Sequence, residues 1–176
     1  MRLLTSPDAC STKDTMRFPS VLSVLCLTAA LSTAFAASPV HTSGHAVTLD
    51  LISGQGGANG GLNFNGGFKG SKTFTVPLGS VVTVNFQNMG ALTHSFVIRK
   101  GGAVPTDADA TDAAFPAAYA PMKVEAGLKT GMTQKVTFTA NKAGAYYIVC
   151  GVPGHAMGGQ YINLVISKTA KAASFN

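Results

Sequence analysis

Ala145-Tyr-Tyr-Ile-Val-Cys150-Gly-Val-Pro-Gly-His155-Ala-Met-Gly-Gly-Gln160 runs directly into Tyr161-Ile-Asn-Leu-Val-Ile-Ser167. Two short apolar runs, rich in β-branched and aromatic residues, flank a segment broken by Pro153-Gly154 and by Gly158-Gly159. Runs of this kind read as strands, and a Pro-Gly pair reads as a turn. The stretch is therefore a strand, a tight connection and a second strand. Cys150 stands at the end of the first strand and His155 in the connection, with four residues between them.

The same rhythm extends upstream. His45–Ile52 alternates apolar and polar residues, and Ser53–Gly61 is a glycine-rich loop. Lys72–Val76 forms a strand ended by Pro77. Ser80–Phe86 alternates strictly, as do Ser95–Arg99, after a turn at Gly90, and Thr133–Thr139. Period two is the mark of a half-buried strand. Seven to eight short strands at regular spacing predict an all-β Greek-key sandwich. Phe64, Phe68, Phe86, Phe96 and Phe138 are its expected core, and Tyr146 and Tyr147 point to opposite faces. One segment departs from the rhythm. Gly101–Gly131 is rich in Ala, Pro and Asp, with a short helix expected near Asp107–Ala114. It reads as a lid, docking surface or flap inserted between strands.

The N-terminus has another character. Met16-Arg17 precedes the apolar run Val21–Leu31 and then Ala34-Phe35-Ala36. A positive residue, a short apolar stretch and a small-x-small site form a secretory signal. The run is short for a membrane span. Residues 1–36 are thus read as an extension plus signal peptide, and residues 37–176 as one exported domain, periplasmic or extracellular. Cleavage would remove Cys10 and Cys26. Cys150 would then be the lone cysteine, unable to form an internal disulfide and in need of protection in an oxidising compartment. The remaining domain holds ten basic and five acidic residues, a net charge of +5. That favours acidic partners or anionic membrane surfaces. The lysines are scattered singly, so nucleic acid is not an expected partner.

His94, far upstream, opens a strand. Two imidazoles and one thiolate with a weak axial ligand are the donor set of a blue copper centre. A tight turn brings Cys150 and His155 to one point, and the sandwich supplies His94 from another strand. The cation would be a single type 1 copper alternating between Cu(I) and Cu(II).

With these residues the chain resembles the cupredoxins, and within them the sulfocyanin-like branch. The resemblance rests on Leu62-Asn-Phe-Asn-Gly66, Val76-Pro-Leu-Gly-Ser-Val-Val-Thr-Val84, Thr93-His-Ser-Phe96 and Tyr147-Ile-Val-Cys-Gly-Val-Pro-Gly-His-Ala156. It spans about residues 60–167 and implies a β-sandwich with one copper. It also implies a one-electron carrier that exchanges electrons with a cytochrome or a terminal oxidase in a respiratory chain. In that family a methionine follows the second histidine with four residues between. Here Gln160 holds the place, as in the stellacyanins, where an amide oxygen is the axial ligand. Met157 is the competing axial donor. Ser95, beside the first histidine, is expected to hydrogen-bond the thiolate and tie the ligand loops together.

Other chemistries fit less well. A cysteine nucleophile needs a histidine and an orienting Asn or Asp, and no orienter is apparent. Multicopper oxidases need many histidines; this chain has 4. A binuclear copper site needs two cysteines, and structural zinc needs four strong ligands. The alternatives within copper biology are a periplasmic copper chaperone and a copper-dependent redox enzyme. The expected molecule is a monomer and not an enzyme. His41 and His45 are assigned to a solvated terminus.

Overall fold

The computed structural model describes residues 37–176; the leader, with its expected cleavage site, lies outside the described residues. The strands are β1 (Val40–Ser43), β2 (Ala46–Ser53), β3 (Thr73–Pro77), β4 (Val81–Asn88), β5 (Phe96–Lys100), β6 (Tyr119–Ala120), β7 (Thr133–Thr139), β8 (Gly144–Val149), β9 (Tyr161–Ser167) and β10 (Ser174–Phe175). They form one sheet of order β1-β2-β4-β7 and a second of order β10-β3-β9-β8-β5-β6. Both are mixed. β2 pairs β4 and β3 pairs β9 in parallel, while β4–β7, β8–β9 and β5–β8 are antiparallel. Among the described residues no helix is long and apolar enough to cross a membrane.

Alternation in the sequence becomes alternation in burial. β4 turns Val82, Val84, Phe86 and Asn88 inward, and β2 turns Val47, Leu49, Leu51 and Ser53 inward. Phe74, Ile98, Ile148, Ile162 and Leu164 meet them from the second sheet in one continuous core. Each such side chain contributes roughly 1.5–3 kcal/mol of apolar transfer on burial. Tyr146 enters this core, while Tyr147 faces a smaller cluster with Val97, Val124 and Tyr161. Four of the five expected core phenylalanines are buried; Phe68 is only half-buried.

All seven strands expected from the sequence are present. β1, β6 and β10 are additional, and each is short. The 101–131 segment differs from its expected form. Its helix is a three-residue 3-10 turn, Ala110–Asp112, capped reciprocally by Asp109 and Asp112. Nor is the segment a flap. Ala114 donates to Ile98 O and Ile98 donates to Ala118 O, at 2.7 and 2.9 Å, so the segment runs along β5 and supplies β6. Phe115 is fully buried, stacked on Phe138 and tilted against Tyr146.

Candidate metal centre

β8 delivers Cys150 to the end of the second sheet, where Cys150 N–H donates to Gln160 O across the connection. Between them the chain makes a compact turn. His155 N–H donates to Val152 O and Gln160 N–H to His155 O, at 3.1 and 2.9 Å. Gly154 sits at φ +81°, a conformation L side chains rarely adopt, so the Pro153-Gly154 pair fixes the turn.

His94 comes from the other side. Its backbone pairs with Leu128: His94 N–H donates to Leu128 O at 3.1 Å and Leu128 N–H returns a bond at 2.6 Å. Asn88 organises the approach. Its buried amide donates to Leu92 O and Leu128 O, both at 2.7 Å, and its oxygen accepts from Gly90 N–H at 2.8 Å. The ends of β4 and β5 and the close of the 101–131 segment are thereby tied around His94. Asn88 was not singled out from the sequence. A signal was available, since it is the one polar residue in the inward register Val82, Val84, Phe86, Asn88.

The structure brings His94, Cys150 and His155 together. One ligand atom from each lies within 4.8 Å of the others, the only such His/Cys/Asp/Glu group among the described residues. Cys150 Sγ is 3.5 Å from His155 Nδ1, and the two imidazole centroids are 5.1 Å apart. Gln160 is fully buried, with Oε1 2.9 Å from His94 Nδ1. Met157 turns outward and is 73% exposed, away from the cluster. Ser95 N–H donates to Cys150 Sγ at 3.4 Å, and its Oγ accepts from Gly151 N–H at 2.9 Å. Ser95 thus joins the His94 strand to the cysteine loop.

Burial sets the protonation states. His94 is lowered from 6.5 to about 4, first by desolvation and then by repulsion from His155, against a hydrogen bond to Gln160. Desolvation also lowers His155. It raises the Cys150 thiol, against donation from Ser95 and Val152. Without a cation the site is therefore two neutral imidazoles and a neutral thiol. A thiol and two imidazoles gathered at a mostly buried point, with an amide oxygen beside His94, are donors that would fit a copper ion. His41 lies 3.7 Å from Asp50 at the exposed β1–β2 edge, and neither it nor His45 approaches the cluster.

A two-sheet sandwich with this donor set at one end defines a cupredoxin, a type 1 blue copper protein. The sulfocyanin (SoxE) domain model matches residues 33–175, and the chain belongs to that family. It is 29% identical over 140 residues to sulfocyanin of Sulfolobus acidocaldarius, covering 76% of this chain and 70% of that one. Over 91 residues it is 41% identical to auracyanin-A of Chloroflexus aurantiacus, covering 46% of this chain and 56% of the relative. Among solved structures, dithionite-reduced auracyanin from Roseiflexus castenholzii matches with TM-score 0.52 and 30% identity, over 72% of this chain and 99% of that one. The protein is a blue copper electron carrier with one copper, and not an enzyme.

Proposed function

We propose that His94, Cys150 and His155 hold the copper, that Gln160 is its axial ligand, and that the exported protein carries single electrons between respiratory redox proteins. One observation carries the reading: the buried Gln160 oxygen lies 2.9 Å from His94 Nδ1, at the edge of the group in which His94, Cys150 and His155 each bring a ligand atom within 4.8 Å of the others. The bound copper supplies a one-electron couple. The chain's residues do the rest. The thiol gives up its proton when the metal binds, so uptake releases acid. The Ser95 N–H then faces a thiolate, and a hydrogen bond to sulfur tunes such a centre. His94 enters just before β5 while Cys150 and His155 share the β8–β9 connection, and the sandwich fixes both segments, so little has to rearrange when charge changes. His155 is the half-exposed ligand, and Pro153, Gly154 and Met157 around it are open to solvent. That edge is the entry and exit for electrons, against a cytochrome or a terminal oxidase in a small, transient contact.

The apolar run and small-residue site at residues 21–36 support export, and the net positive charge is compatible with binding at an anionic membrane surface. The protein acts as a monomer in this reading. Copper loading, followed by visible and paramagnetic resonance spectra, tests the site. An intense thiolate-to-copper band, lost in Cys150→Ser and shifted together with the potential in Gln160→Met, is the expected result. A weakly absorbing Cu(II) form overturns the carrier reading and favours a copper chaperone.

A further inference from the structure

Gln160 has two chemically different ends, and only its oxygen can be a ligand. Its other end is held. Nε2 donates to the backbone carbonyl of Asn63 at 3.1 Å, in a fully buried contact between residues 97 positions apart. A carbonyl only accepts, so the amide nitrogen must face it and the oxygen must face His94 Nδ1. The Asn63 peptide is itself fixed. Its side-chain nitrogen donates to Ala58 O at 2.7 Å, its side-chain oxygen accepts from Gly66 N–H at 3.1 Å, and its carbonyl also accepts from Gly54 N–H at 3.1 Å. Asn59 closes the frame from the same loop, donating to Gly158 O at 3.0 Å, two residues before Gln160.

We infer that Asn63 is a positioning residue for the copper centre: the glycine-rich 54–66 loop, through the Asn63 carbonyl, selects the amide rotamer that presents Gln160 Oε1 to the cation. The inference rests on Gln160 being the axial ligand. With the carbonyl in place, the amide is pre-set before copper arrives. Turned over, it would aim an NH₂ group at the cation and lose its acceptor in a buried site, a costly arrangement. An amide oxygen donates more strongly to Cu(II) than to Cu(I), so loosening its hold moves the couple toward Cu(I).

The test is a double-mutant cycle on the copper-loaded protein, reading reduction potential and the paramagnetic resonance spectrum. Asn63→Ala should shift the Cu(II):Cu(I) equilibrium toward Cu(I) roughly fivefold, the factor an ordinary hydrogen bond corresponds to. In the Gln160→Met background, where no amide remains to orient, the same substitution should leave both readouts unmoved. Equal shifts in the two backgrounds, or none in either, overturn the positioning role. If Gln160→Met alone changes neither potential nor spectrum, the axial reading fails instead, and the two failures are distinguishable. Should Asn63→Ala not fold, Asn59→Ala weakens the same frame from a half-buried position and should move the couple in the same direction. Amide proton NMR of the Cu(I) protein decides independently. Gln160 side-chain protons that exchange slowly support the bond to Asn63, and freely exchanging ones overturn it.

Discussion

Cys150 is the most consequential residue in the described domain, and its surroundings say why. Desolvation raises its thiol, so the metal-free protein keeps the proton until a cation displaces it. Copper uptake should therefore release about one proton per site at neutral pH, measurable in a weakly buffered titration. His94 adds a dependence of its own. Its folded value of about 4 lies below its ordinary 6.5, so between these limits the unfolded chain binds more protons than the folded one. Stability of the metal-free protein should then fall as pH drops from 6.5 toward 4. With copper held by His94, Cys150 and His155, none of the three would carry a proton in the folded state while the unfolded chain protonates all of them, so the loaded protein should show a steeper profile over that window. Urea midpoints measured at several pH values, with and without copper, check the difference. Parallel profiles would sink the assignment of these three residues to the site.

At the scale of elements, the strands were legible because one physical signal specifies them. Val82, Val84 and Phe86 alternate with Val81, Thr83 and Asn85, and no helix can bury such a pattern on one face. That Cys150, His155 and Gln160 lie close together was legible as well, because one turn carries all three. The 101–131 segment was not. Its contacts are local turns, single bridges and one two-residue pairing with β5, too short to leave a period in the sequence, and its anchor Phe115 stands among alanines and a proline. That anchor invites a test. Phe115→Ala removes a fully buried ring from the stack with Phe138 and Tyr146 and should cost about 3–5 kcal/mol, read from denaturant midpoints. The same variant should leave the copper spectrum unchanged, because the ring packs in the core. A large spectral change with little loss of stability would restore the reading of the segment as a lid. Gly127 gives the opposite expectation. A Cβ there would lie 2.9 Å from His94 N and from a Val152 methyl, at a backbone φ of +68°. Gly127→Ala should therefore disturb the spectrum through the His94 backbone.

For the whole molecule, net charge and local charge point in opposite directions. The domain is positive overall, which taken alone favours acidic partners. Yet four of its five carboxylates, Asp107, Asp109, Asp112 and Glu125, line one open groove with Gly151, Pro153, Gly154 and Met157, beside the His155 turn. No lysine or arginine lines that groove, though Arg99 reaches the Asp107 carbonyl from nearby. At about 0.1 M ionic strength the Debye length is about 10 Å, so a partner at the His155 edge senses this rim more than the lysines on distant faces. Electron exchange with small inorganic complexes separates the two effects. At low salt a cationic complex should exchange electrons faster than an anionic one of matched driving force, despite the protein's positive net charge. Added salt should bring the two rates together, and Asp109→Asn with Asp112→Asn should narrow the gap at low salt. A faster anionic complex at low salt would mean that net charge governs approach and that electrons do not pass by the acidic side of His155.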